Sequence, residues 1–224
     1  MEKRRVVVTG MGILSPLGRG LATNWSHLMQ GRSGAAWIEH FATDGLTTRF
    51  AGMIPDYAIE DHFSRKDTKK MDAFICYAID AAEQAITDAG ICFTEHDKNR
   101  MGIAIGSGIG GLQSIQDNTQ KLFTKGARSV SPFFVPGSII NMAAGNLAIR
   151  HGLYGPNIAA ATACTTSTHM IGLAARTVMH GDADVMLAGG ADDCDELDVR
   201  GSLPSRVYFI ILTGLSAYII SSND

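Results

Sequence analysis

Four short apolar runs punctuate the chain, each closing on glycine or other small residues: RVVVTG (5–10), MGIAIGSG (101–108), NIAAATA (157–163) and ADVMLAGG (183–190). Runs of this length without polar alternation predict strands buried on both faces, as in a parallel sheet. Between them the apolar spacing becomes helical. KKMDAFICYAIDAAEQAITDAG (69–90) predicts a helix with Gly90 as its C-cap. PGSIINMAAGNLAIRHG (136–152) reads as Pro136, a Ser138 cap and a helix closed by Gly152. CTTSTHMIGLAARTVMHGDAD (164–184) predicts a third helix, ending at Gly181. SVSPFFVPG (129–137) reads as a proline-bracketed aromatic loop. Strands alternating with helices predict an α/β fold with a mostly parallel sheet.

Composition narrows the function classes. Of 224 residues, 46% are apolar and 18% charged, which suits an ordered globular chain. The net charge of −3 comes from mixed signs with no basic block, so neither nucleic acid nor an anionic membrane surface is an expected partner. The opening MEKRRVVVTG has no apolar stretch of signal-peptide length, and VYFIILTGLSAYII (207–220) is too short and interrupted to span a bilayer. Cys76, Cys92, Cys164 and Cys194 are scattered without a C-x-x-C pair, which argues against a zinc site and suits a reducing cytoplasm.

Two glycine-rich stretches imitate nucleotide-binding turns. VVVTGMGILSPLG opens like a βαβ unit, and GSGIGG (106–111) fits G-x-G-x-x-G through Gly106, Gly108 and Gly111. A dinucleotide site needs a carboxylate about twenty residues further on, for a ribose hydroxyl. The stretches there are MQGRS and KGARSVS, which hold none. The glycines are therefore read as allowing tight turns and close packing, with no cofactor implied.

Cys164 is the residue with chemistry to offer. It follows a predicted buried strand and opens a predicted helix, where a thiol faces the positive end of the helix dipole and unpaired backbone N–H groups. Such a place favours the thiolate, and strand–nucleophile–helix turns hold a reacting atom proud of the strand end. The other reading of the same position is a small buried cysteine packed as a hydrophobe. His169 lies five residues on, roughly 500° around a helix, and so off the face of Cys164; it reads as a structural histidine packed behind the turn. No partner base emerges from the remaining histidines.

The stretches RRVVVTGMGILSPLG, GRSG (31–34), FAG (50–52), SRKDTKKMDAF (64–74), GSGIGGL (106–112), SPFFVPGSIINMAAG (131–145), YGPNIAAATAC (154–164) and GDADVMLAGGA (181–191) run in order along the chain. Together they resemble the 3-oxoacyl-[acyl-carrier-protein] synthases, the condensing enzymes of fatty-acid synthesis, most nearly the type II enzyme. The resemblance implies a thiolase-like fold, of which this chain would form one βαβαβαββ half. It implies Cys164 as the acyl-accepting nucleophile, with its backbone N–H in the oxyanion hole. It implies that Ile109 lines or gates the acyl-chain pocket and that Phe134 reaches that pocket from the partner subunit of a homodimer. Phe133, Ile139 and Met142 would suit the apolar walls. The implied reaction is acyl transfer from acyl carrier protein to Cys164, then decarboxylation of malonyl carrier protein and carbon–carbon bond formation, in the cytoplasm and with no metal or other cofactor.

The resemblance covers residues 1–191 and breaks at DDCDELDVRGSLPSRVYFIILTGLSAYIISSND. It places the two histidines that polarise the malonyl thioester, a lysine and a second oxyanion donor in a C-terminal half with no counterpart here. Residues 192–224 are therefore expected to be a divergent tail: a frameshifted or truncated remnant, a short form with its own role, or a metal site built on Asp192, Asp193, Asp195, Glu196 and Asp198. A lone half would expose apolar surface and tend to aggregate or dimerise. The alternative function is a non-catalytic partner that binds carrier protein or another synthase subunit.

Overall fold

The computed structural model describes residues 4–46, 48–93, 97–193 and 215–222. Its centre is a six-stranded mixed sheet. The strands are β1 (Val6–Ser15), β2 (Gly18–Arg19), β5 (Met101–Gly106), β6 (Asn157–Ile158), β7 (Val185–Gly190) and β8 (Leu215–Ser222), in the order β2-β1-β8-β7-β5-β6. β5 is parallel to both β6 and β7, while β8 lies antiparallel between β1 and β7. The four strands expected from the apolar runs thus all point one way, and the mostly parallel α/β reading holds. A two-stranded sheet, β3 (Ala35–Trp37) with β4 (Phe50–Gly52), carries its own small cluster of Ile38, Leu46 and Ala51.

Every residue of β5 and β7 is buried, because helices cover both sheet faces. On one face lie α4 (Ala73–Ala89) and α7 (Met142–His151), packed through Phe74, Ile75, Ile79 and Leu147 onto Ile103, Ile105 and Leu187. On the other lies α8 (Thr166–His180), whose Met170 and Ala174 meet Ala104, Met186 and Ala188. The other helices are α1 (Leu21–Met29), α2 (Ile59–His62), α3 (Arg65–Thr68), α5 (Leu112–Lys125) and α6 (Phe134–Ser138). No helix among the described residues is long and apolar enough to cross a membrane.

The glycines of VVVTGMGILS serve packing. β1 runs straight through them without turning into a helix, and a Cβ on Gly12 would overlap the Ala81 carbonyl of α4. The three predicted helix ends at Gly90, Gly152 and Gly181 are all left-handed C-caps. Two local expectations change. Ser138 caps no helix: it ends α6, its hydroxyl donating to the Phe134 carbonyl, and α7 starts after Asn141. The aromatic loop is half helical, since α6 takes up its second half. The segment set apart on sequence also contributes a central strand, β8, to the main sheet.

The amino ends of the parallel strands are tied by one carboxylate. Asp184 accepts from Arg100 Nε at 2.6 Å and Nη2 at 2.7 Å, and from Arg4 Nη1 at 2.8 Å. The Arg100 bonds, opposed by partial burial and reinforced by Arg4, hold the Asp184 carboxyl at about 2, below its ordinary 3.8. A depressed folded-state value stabilises the fold above the unfolded value and loses that effect as pH falls through the folded one. Stability is therefore expected to drop between about pH 4 and pH 2, and less steeply in Asp184→Asn. Urea unfolding across that window checks this.

Candidate functional site

Three connections converge at the carboxyl ends of β5, β6 and β7, the end at which open α/β sheets hold their ligands. They are the loop 107–111 after β5, the elbow 159–165 between β6 and α8, and Ala191–Asp193 after β7.

The elbow carries Cys164, which is exposed and not a packed hydrophobe. β6 is shorter than its apolar run predicts: pairing with β5 stops at Ile158, and the chain crosses Ala159–Ala161 unpaired before it turns. Ala163 takes φ = 52°, a left-handed conformation that costs a non-glycine residue about 1–3 kcal/mol and clusters at functional turns. Threonines hold this shape. Thr166 Oγ1 donates to the Ala163 carbonyl at 2.7 Å and accepts from the Thr162 amide at 2.9 Å. Thr165 Oγ1 donates to the Thr162 carbonyl at 2.7 Å. The run TACTTSTH thus places an exposed thiol among hydroxyls that hold its turn.

The thiol precedes the first residue of α8 by two positions. The amides of Thr165 and Thr166 donate to the carbonyls of Thr162 and Ala163. Two of the amides expected to face the sulfur are therefore engaged within the elbow. His169 does serve the turn, but from the exposed side: its Nδ1 lies 2.6 Å from Thr162 Oγ1. Cys76 is buried, and desolvation first, then the charges of Asp72, Asp67 and Glu60, push its thiol up to about 12. Cys76, Cys92 and Cys164 form no disulfide, and Cys194 lies outside the described residues.

Two strand-end glycines let the elbow sit on the sheet. A Cβ on Gly106 would overlap the Ala160 carbonyl and lie 2.8 Å from Thr166 Cγ2. One on Gly190 would lie 3.0 Å from Ser167 Cα, in the first turn of α8.

The loop 107–111 presents Ile109 at its crest, 57% exposed. Gly108 lies against the elbow, since a Cβ there would stand 3.4 Å from Ala163 Cα. The Gly111 amide donates to the Ser138 carbonyl at 2.9 Å, which ties the loop to the end of α6. Asp72 Oδ2 accepts from the Ser114 amide at 3.0 Å and so caps the first turn of α5 from outside it. Phe134 is half-buried in the first turn of α6, and Phe133 is exposed with Lys70 Nζ 5.1 Å from its ring centroid. Ile139 is exposed and Met142 half-buried. The loop thus brings Gly108 to the elbow, with Ile109 next to it in the chain, whereas Phe134 sits at the other end of α6 from Ser138, to which the loop is tied.

Asp192 is the participant that sequence reasoning assigned elsewhere. It looked like the start of an acidic run, yet its Oδ1 accepts from Ser107 Oγ at 2.9 Å and the Gly108 amide at 2.8 Å. Asp195, Glu196 and Asp198 lie outside the described residues. Among the described residues no three His, Cys, Asp or Glu side chains converge as a metal site.

Residues 3–205 match the family model of the beta-ketoacyl synthase N-terminal domain. The chain is 55% identical over 192 residues to 3-oxoacyl-[acyl-carrier-protein] synthase 2 of Vibrio cholerae and 46% identical over 192 residues to that of Coxiella burnetii. In both cases the match covers 86% of this chain and 46% of the relative, so the chain spans about half the length of these relatives. In structure it resembles a chain of a complex of a type II PKS acyl-carrier protein with its ketosynthase bound to the hexaketide, with TM-score 0.82 and 22% identity over 99% of this chain and 63% of that one. At that identity the likeness speaks for the fold, which is that of the ketosynthases. Sequence and fold agree: the chain belongs to the beta-ketoacyl synthase family, and the match lies in that family's N-terminal domain.

Proposed function

We propose that this chain carries the acyl-accepting site of a 3-oxoacyl-[acyl-carrier-protein] synthase of fatty-acid synthesis, with Cys164 as the nucleophile. The observation that carries the reading is an exposed thiol on a strained elbow at the carboxyl ends of parallel strands. The Cys164 sulfur attacks the carbonyl carbon of an acyl carrier protein thioester. A new carbon–sulfur bond forms, the bond to the carrier's sulfur breaks, and the carrier leaves as the free thiol with the proton lost from Cys164. The tetrahedral oxyanion is received by the Cys164 backbone N–H, and a second donor would come from the part of the relatives beyond the match. Ile109 lines the entry for the acyl chain, and Phe134 enters it from the partner subunit of a homodimer. Condensation with malonyl carrier protein belongs to the whole family protein, where the resemblance places the histidines beyond the matched residues.

Incubation with a long-chain acyl carrier protein should add one acyl mass to the intact protein and none to Cys164→Ala. No gain on protein shown to be folded by circular dichroism would sink the reading and favour a carrier-binding partner.

A further inference from the structure

We propose that Asp192 is a positioning residue that fixes the Ile109 loop against the Cys164 elbow and so sets how the site discriminates acyl-chain length; this rests on the acyl-accepting role of Cys164. The geometry follows from strand register. Gly106 of β5 pairs with Gly190 of β7, so the loop and Asp192 leave the sheet side by side. The Ala191 amide donates to the Gly106 carbonyl at 3.0 Å, which continues the pairing one step past the strands. Asp192 then reaches back across the gap. One oxygen takes both the Ser107 hydroxyl at 2.9 Å and the Gly108 amide at 2.8 Å. Ser107, fully buried, passes the constraint on: its Oγ accepts from the Gly110 amide at 2.8 Å.

A single carboxylate therefore pins the loop on both sides of Ile109. The backbone at 108 and 110 is held while the side chain between them projects outward. The same oxygen fills the space beside Gly108, 3.3 Å from where a Cβ would sit, and Ala163 Cα fills it at 3.4 Å from the other side. Loop, carboxylate and the residue before the nucleophile thus form one packed unit. The side-chain hydrogen bonds of Asp192 run to Ser107 and Gly108, so its effect on the chemistry runs through the position of the loop that carries Ile109.

Charge-assisted bonds from buried donors are stronger than neutral ones, and removing the acceptor takes away the partner that the Ser107 O–H and the Gly108 N–H donate to. Asp192→Ala should loosen the loop. Asp192→Asn keeps an acceptor oxygen in the same place and should restore most of the geometry.

The test pairs two readouts on the parent, Asp192→Ala and Asp192→Asn. The first is amide hydrogen exchange, in which Asp192→Ala should speed exchange by about tenfold or more across residues 107–111, while β5 and α8 stay protected. Unchanged exchange in that loop, or a rise spread evenly over the sheet, overturns the proposal. The second is the rate of Cys164 acylation by hexadecanoyl and by octanoyl carrier protein. Asp192→Ala should still be acylated, with the ratio of the two rates moved by about tenfold and largely restored in Asp192→Asn. A ratio identical in all three proteins overturns the proposal. If the parent itself takes no acyl group, the acyl-accepting role fails and the selectivity claim fails with it, whereas the exchange pattern still reports whether Asp192 pins the loop.

Discussion

Ile219→Asp is expected to abolish cooperative unfolding of the domain. β8 fills the gap between β1 and β7, with Ile219 opposite Gly10 on one side and Leu187 on the other. Ile219 is 1% exposed and belongs to the cluster of Phe74, Leu14 and Ile79, under α4. Its neighbour Ile220, 2% exposed, points to the opposite face and joins Met186 and Ala188, under α8. One short strand thus closes both cores. Truncation to alanine at such a site costs about 2–5 kcal/mol, and an unpaired buried carboxylate costs more. Set against a total of about 5–15 kcal/mol, the aspartate consumes most of the margin. Circular dichroism in a urea titration should show a clear loss of midpoint for Ile219→Ala and no cooperative transition for Ile219→Asp. Phe123→Asp, on the exposed face of α5 at 83% exposure, should unfold like the parent. An unchanged midpoint in Ile219→Asp would mean that β8 is not part of the sheet.

That strand marks where sequence reasoning ran out. β5 and β7 were legible because burial on two faces leaves no polar alternation to hide them, as MGIAIG in β5 illustrates, whereas β1, with Val8 and Met11 exposed, and β6 are apolar runs that are not buried on both faces. Gly90, Gly152 and Gly181 were legible because a left-handed C-cap selects glycine locally. β8 was not, since its partners lie about 30 and 200 residues away in the chain and pairing with them leaves no local signal. Ser138 misled because a serine before a helix is the usual cap signal, while here a short helix ends on it. At the site, the identity of Cys164 could be read but its exposure could not: that depends on β6 losing its pairing after Ile158 and on the turn at Ala163. Asp192 carried no local signal at all. A carboxylate followed by more carboxylates looks like a solvated loop, and only the Gly106–Gly190 register puts it beside Ser107.

Gly106→Ala is expected to cost Cys164 its reactivity while leaving a folded protein. The residues of β5 alternate, and Gly102, Ala104 and Gly106 look toward the face that α8 covers. A methyl group at Gly106 has no room: it overlaps the Ala160 carbonyl and crowds Thr166 Cγ2 at 2.8 Å. β5 is clamped between β6 and β7 and cannot retreat, so the elbow must move. Thr166 is the residue whose hydroxyl holds both Thr162 and Ala163, so its displacement carries the turn before Cys164 with it. Overpacking of this kind costs about 1–3 kcal/mol of stability, which the domain survives. Misplacement of a nucleophile by an ångström costs on the order of 10²-fold in rate. Gly102→Ala is the matched control. It lies on the same strand and face, and its methyl group overlaps the Pro156 carbonyl and meets Met186 Sδ at 2.5 Å, away from the elbow. Both variants should lose similar stability in urea, but only Gly106→Ala should lose the gain of acyl mass at Cys164. Equal acylation rates in the two would show that the elbow tolerates displacement, and that the seat provided by Gly106 does not set the position of the thiol.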